Sequence, residues 1–291
     1  MARPPSVRAV ATTAIIAFIA PWLWSWTIPL FSPFIPSSLS AFFPSSSSSS
    51  LTSDSKPYEC KQTQGYATNL ISLDPLVIYI EKFLRPSEIT ELLEAGQTSG
   101  FNPSRVFKDG ILTGTPDRTS SSAGLPRENP TVQCVLDRAK QFLGSMFDPE
   151  RDDIGPPQLV QYKQGERFNR HFDWYEMPQQ RLRSDNAHKR GKGRTWNRMA
   201  SIFAILEDDC EDGETWFPHV SPTHSRRDDT DHLWWDHEDG GLMFKPVAGN
   251  AIFWVNLHAN GTGDERVAHA GLPLTKGAKT AMNIWPRKFY E

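Results

Sequence analysis

The residues best suited to chemistry lie in Arg167-Phe168-Asn169-Arg170-His171-Phe172-Asp173-Trp174. As a strand, its period of two puts Asn169, His171 and Asp173 on one face and Phe168, Phe172 and Trp174 on the other. A histidine and an aspartate two apart can bind one metal ion from the same side, given a third ligand from elsewhere. Eight histidines are available. His269, in Arg266-Val267-Ala268-His269-Ala270-Gly271, is the best candidate, and His258 competes with it. Two imidazoles and one carboxylate on one face of a metal, with the other positions open, suit non-heme ferrous iron.

The elements around these residues are mostly short strands. They are expected over 158–163, 167–174, 198–206, 215–217, 241–245, 251–257 and 279–285. Gly165, Gly213, Gly240-Gly241, Gly249-Asn250 and Gly261 supply turns between them. An earlier strand, Leu76-Val77-Ile78-Tyr79-Ile80, precedes two helices. The first opens at Pro86-Ser87, carries Ile89, Leu92 and Leu93 on one stripe, and stops at Gly96. The second opens at Asn129-Pro130, an N-cap followed by proline at the first helical position, and keeps helical spacing from Val132 to Met146. Helices with one apolar face each pack outside a sheet. The predicted fold is mainly β with flanking helices, a jelly-roll or cupin-like double sheet. Two polar insertions, Met177 to Trp196 and His219 to Gly240, are long enough to carry recognition.

The 291 residues carry a net charge of -3, which gives no nucleic-acid footprint. Ten Trp and seventeen Phe fit aromatic strands. Three cysteines, Cys60, Cys134 and Cys210, sit at no metal-ligand spacing; they permit one internal disulfide and leave one thiol. Arg3 and Arg8 precede an uncharged run whose first part, Ala9 to Phe34, is strongly apolar. Residues 1–35 are therefore read as a membrane anchor with a cytoplasmic N-terminus, a cleaved signal peptide being the alternative. Either sends the rest into the secretory pathway. Residues 36–72, with six serines in a row at Ser45 to Ser50, form a Ser/Pro-rich stalk, and residues 73–291 the folded domain.

The chain also carries four ordered blocks of a known family. Tyr162-Lys163-Gln164-Gly165 through His171-Phe172-Asp173 resembles the Y-x-x-G…H-x-D block of prolyl 4-hydroxylase α-subunit-like 2-oxoglutarate/Fe(II) dioxygenases. Arg198 to Pro218, Gly241 to Ala251 and His269 to Lys279 resemble the blocks that follow, and Arg118-Thr119-Ser120 is similar to an upstream R-T-S element. The similarity spans about Leu76 to Trp285. Asp212 departs from it, standing where a second glycine is common. The resemblance implies a double-stranded β-helix with Fe(II) held by His171, Asp173 and His269. It implies 2-oxoglutarate chelated to the iron, its far carboxylate paired with Lys279, ten residues after the distal histidine. It also implies O2 as oxidant, ascorbate as support, succinate and CO2 as by-products, and a proline-containing peptide or protein as substrate. The location implied by anchor and family together is the endoplasmic reticulum membrane, with a luminal domain.

Each assignment has a plainer rival. His258 ends an apolar strand, where a rim residue sits. Lys276 competes with Lys279, but lies in the turn, whereas Lys279 starts a strand and projects inward beside Ala281 and Asn283. A buried lysine is costly unless a carboxylate meets it. Tyr162 serves either as a phenol donor to the cosubstrate or as packing. Arg198, Trp216 and the basic insertion are candidates for substrate contact. Asn260-Gly261-Thr262 is a glycosylation sequon. The same chemistry on a free amino acid or small metabolite is the alternative function, and a non-catalytic β-roll scaffold the alternative of another class.

Overall fold

A computed structural model of the chain describes residues 60, 65–108, 111–180, 194–223 and 233–290. The described residues all belong to one compact unit, Ser55–Glu291. The anchor expected over residues 1–35 therefore lies outside the described residues. Among those that are described, no helix is long and apolar enough to cross a membrane.

The larger sheet runs Ala67–Leu73, Leu76–Glu81, Ala251–Val255, Ala200–Glu207, Leu274–Ile284, Gln158–Lys163, Ser121–Gly124, Asn102–Pro103, each strand antiparallel to its neighbours. A second antiparallel sheet runs Trp234–Asp236, Leu242–Phe244, Thr215–Phe217, His269–Gly271, Phe168–His171. Two cores follow from strands apolar on both faces. Ile202, Ala204 and Leu206 join Leu92, Val132 and Val135 of the helices in one cluster. Phe203 and Ile205, one residue out of phase, join Phe217, Leu242 and Phe244 of the second sheet in the other. The result is a double-stranded β-helix buttressed by helices on one side.

Helix α1 spans Pro86–Ser99 and α2 spans Pro130–Leu143. The second starts as expected: the Asn129 side chain accepts from Thr131 N at 2.9 Å and Val132 N at 3.2 Å. It ends at Leu143, ahead of the expected Met146, because Gly144 turns to φ 52 and a 3-10 turn takes over Gly144–Met146. Gly96 does not stop α1. A Cβ there would come within 2.4 Å of Leu159 Cδ1, so its glycine permits close helix-sheet contact. Gly100, at φ 82, ends the helix instead.

Strand boundaries differ from expectation as well. The sheet begins at Ala67, inside the stretch read as stalk, and Cys60 is disulfide-bonded to Cys134 in α2, leaving Cys210 free. The strand expected over 198–206 is two strands, Thr195–Arg198 and Ala200–Glu207. The chain changes sheets there, pairing first with Pro286–Tyr290 and then with Leu274–Ile284. The strand expected over 279–285 begins earlier, at Leu274, where Cys210–Asp212 pairs with it. Of the insertions, residues 181–193 and 224–232 lie outside the described residues.

Candidate active site

His171 closes its strand and His269 opens the neighbouring one, and the two are register partners. Their ring centroids are 4.3 Å apart. Asp173 lies past the end of its strand, which stops at His171 and not at Trp174. It reaches the histidines through a bend instead of by strand alternation, and is 5% exposed. One ligand atom from each of the three lies within 4.8 Å of the others. His171 Nε2 is 3.9 Å from Asp173 Oδ1, and His269 Nε2 is 4.0 Å from Oδ2.

Local hydrogen bonds turn these groups inward. His171 Nδ1 donates to Asn169 O at 2.8 Å, and His269 Nδ1 to Val267 O at 3.0 Å. A carbonyl only accepts, so Nδ1 carries a proton in both rings and Nε2 is the nitrogen that faces Asp173. Burial, reinforced by the neighbouring His269, pushes His171 down to about 3 and keeps it neutral. Burial alone would raise the Asp173 carboxyl; His269, Arg198, His171 and the Ser201 hydroxyl outweigh it and hold it at about 2. Ser201 Oγ donates to Asp173 Oδ2 at 2.6 Å and Trp285 Nε1 donates to the same oxygen at 3.0 Å. Asn256 Nδ2 in turn donates to Ser201 Oγ at 2.9 Å. Two imidazoles and an ionised carboxylate on one side of an open space are a donor set that fits Fe(II).

That space is a cavity of about 910 Å³, walled on one side by Arg118, Phe168 and Arg198 and on the inner side by Tyr162, Thr215 and Asn283. Arg198 lies over the Trp285 ring at 3.7 Å and donates to Asp173 O at 3.1 Å. Arg118, from the Arg118-Thr119-Ser120 element, bridges to Phe168 and lies 4.7 Å over its ring.

Tyr162 is buried on the inner wall, and burial pushes its phenol up. Lys279 is 1% exposed, just behind this wall: its Nζ donates to Gly213 O and sits 4.7 Å over the Tyr162 ring. Among the described residues no carboxylate lies within 4 Å of the amine, and burial, only partly offset by Cys210 and Glu214, lowers it to about 8. Lys276 is exposed and paired with Glu211 at 2.8 Å. His258 is exposed on a rim turn, 3.8 Å from Asp264, away from the three ligands. Trp216 is outside the cavity, donating to Gly240 O and stacked on His237.

Ser201, Trp285, Asn256 and Thr215 escaped the sequence reading, and Asn283 entered it only as an inward neighbour of Lys279. Ser201 alone left a signal, a hydroxyl at an inward position of an otherwise apolar strand.

The turn after the central strand meets its conformational demand without the usual glycine. Asp212 takes φ 62 beside Gly213 at φ 83, so the aspartate occupies the left-handed region itself.

Residues 157–287 match the 2OG-Fe(II) oxygenase superfamily. Probable prolyl 4-hydroxylase 10 of Arabidopsis thaliana is 27% identical over 224 residues, 75% of this chain and 71% of that one. Prolyl 4-hydroxylase subunit alpha-2 of Gallus gallus is 28% identical over 180 residues, 61% of this chain but 27% of that longer one. Among solved structures, the viral collagen prolyl hydroxylase of Paramecium Bursaria Chlorella virus-1, as its 2OG complex, superposes with a TM-score of 0.51 at 22% identity. The superposition covers 73% of this chain and 96% of that one, a likeness of fold. Jelly roll, facial ligand set and family match together define a 2-oxoglutarate-dependent dioxygenase. The chain is similar to the 2OG-Fe(II) oxygenase superfamily over residues 157–287 and, over a longer stretch, to prolyl 4-hydroxylases.

Proposed function

We propose that the chain hydroxylates prolyl residues of a peptide or protein, with release of succinate and CO2. The observation that carries this reading is the meeting of His171, Asp173 and His269 at the wall of one cavity. The prolyl 4-hydroxylases among its relatives support proline as the target. Fe(II) bound there, with 2-oxoglutarate, would supply the activation of O2, and ascorbate would keep the iron ferrous.

The chain's own residues supply position and charge. His171 and His269 present their Nε2 atoms, and Asp173 presents Oδ1 because Ser201 and Trp285 occupy Oδ2. Lys279 is the cation for the cosubstrate's far carboxylate and Tyr162 a phenol beside it. Arg118, Phe168, Arg198 and Trp285 line the same cavity and are the proposed substrate contacts.

The proposed organisation is an anchor over residues 1–35, a linker, and a luminal catalytic domain. The domain begins ahead of Leu73, since Cys60 and Ala67–Leu73 are tied into it. The Cys60–Cys134 disulfide supports an oxidising compartment such as the endoplasmic reticulum lumen.

Replacing the ligands tests the assignment. His171→Ala and Asp173→Ala are each expected to abolish peptide-dependent succinate release while leaving the thermal transition in place. Wild-type turnover in either variant would remove these residues from the iron site.

A further inference from the structure

Asn260-Gly261-Thr262 takes no part in the site above. The sequence holds three Asn-x-Ser/Thr triplets: Asn102-Pro103-Ser104, Asn129-Pro130-Thr131 and Asn260-Gly261-Thr262. Proline at the middle position disqualifies the first two as glycan acceptors. Asn129 is also engaged as the cap of α2. The third triplet remains.

It occupies the tip of a tight turn. Gly261 N donates to His258 O at 2.9 Å and His258 N to Thr262 O at 2.8 Å, beneath a bridge between Leu257 and Gly263. Gly261 at φ 87 gives the turn its left-handed step. Asn260 and Thr262 are both exposed. Asn260 Oδ1 accepts twice from Thr262, from the backbone N at 3.0 Å and from Oγ1 at 2.7 Å. The sequon hydroxyl is thus already set against the carboxamide oxygen, and Nδ2 is the group left toward solvent. The turn borders a hollow of about 980 Å³, flanked by Trp174, Tyr175 and Tyr290, with room for a bulky substituent.

We propose that Asn260 is an N-glycosylation site. The donor is a lipid-linked oligosaccharyl diphosphate. Asn260 Nδ2 attacks the anomeric carbon of the first sugar, and the N–C bond forms as the C–O bond to diphosphate breaks. Nδ2 gives up one proton, the lipid diphosphate leaves, and nothing is oxidised or reduced. This rests on the luminal location proposed above.

The full chain expressed in a eukaryotic secretory host, recovered as sealed microsomes, tests both. Protease is added outside the vesicles, and the protected chain is then treated with peptide N-glycosidase. The expected result is a protected chain whose mobility increases on treatment, with Asn260 recovered as Asp by peptide mass analysis. Asn260→Gln and Thr262→Ala should each run at the deglycosylated position, and Thr262→Ser should keep the modification. A protected wild-type chain with unmodified Asn260 overturns the glycan and leaves the location standing. A chain digested from outside overturns both. The wild-type chain decides alone, so a variant that misfolds does not blur the outcome.

Discussion

Asp173 receives its shortest hydrogen bond from Ser201, whose Oγ donates to Oδ2 at 2.6 Å. The indole of Trp285 donates to that same oxygen, and the other, Oδ1, faces His171 Nε2. One oxygen is thereby engaged by the protein and one left for a metal. Groups that orient a ligand in this way commonly change metal affinity by 10–100-fold when removed. Ser201→Ala is expected to weaken Co(II) or Mn(II) binding by roughly tenfold or more, read by calorimetric titration in the absence of substrate. Unchanged affinity would mean that Trp285 alone fixes the carboxylate.

Lys279 gives a pH dependence with two opposite signs. Burial lowers its folded pKa to about 8, below the ordinary 10.5. The ammonium form, which a carboxylate needs, therefore predominates below pH 8 and is lost above it. The KM for 2-oxoglutarate should be flat below that point and rise above it, by up to about tenfold per pH unit. The protein without cosubstrate behaves the other way. A group whose folded pKa is depressed in a base destabilises the fold while charged, and this cost fades as pH rises from 8 toward 10.5. Lys279→Met should therefore melt higher than the parent at neutral pH and lose its stabilisation by 2-oxoglutarate. A variant that melts lower and still responds to 2-oxoglutarate would contradict the assignment.

The turn at Asp212-Gly213 offers a stability test. Asp212 stands at φ 62, a conformation that costs an L-residue roughly 1–2 kcal/mol and glycine almost nothing. Asp212→Gly is expected to stabilise the protein by about 1 kcal/mol, the gain reduced by the greater freedom of glycine in the unfolded chain. Urea unfolding measures it, and 2-oxoglutarate affinity should not change, since no site residue is removed. A loss of stability would show that the aspartate side chain contributes more than the turn costs it.

The parts legible in the sequence were those set by local periodicity or by unusual residue types. Asn129-Pro130 announced α2 because capping is a local interaction, and Gln158–Lys163 is a strand over the residues expected. His171 and Asp173 could be picked out by type and spacing and His269 by the family resemblance, and the fold brings the three together. What stayed hidden depended on distant partners. Gly96 reads as a stop until Leu159 is seen against it. The break at Met199 has no local signal, because it follows from a change of strand partner. Residues 36–72 look like linker by composition, yet Ala67–Leu73 is held by pairing with Leu76–Glu81 and Cys60 by its bond to Cys134. Asp173 leaves its strand before reaching the site, so alternation placed it correctly by the wrong route.

The most direct test of the central claim is succinate release by the full-length chain with Fe(II), ascorbate and 2-oxoglutarate, with and without a library of proline-rich peptides. The account predicts peptide-stimulated succinate in step with the gain of one oxygen atom on proline, located by fragmentation mass spectrometry. Turnover with no oxygen on any prolyl residue would contradict proline as the target. Neither turnover nor Fe(II) binding would contradict the enzyme itself.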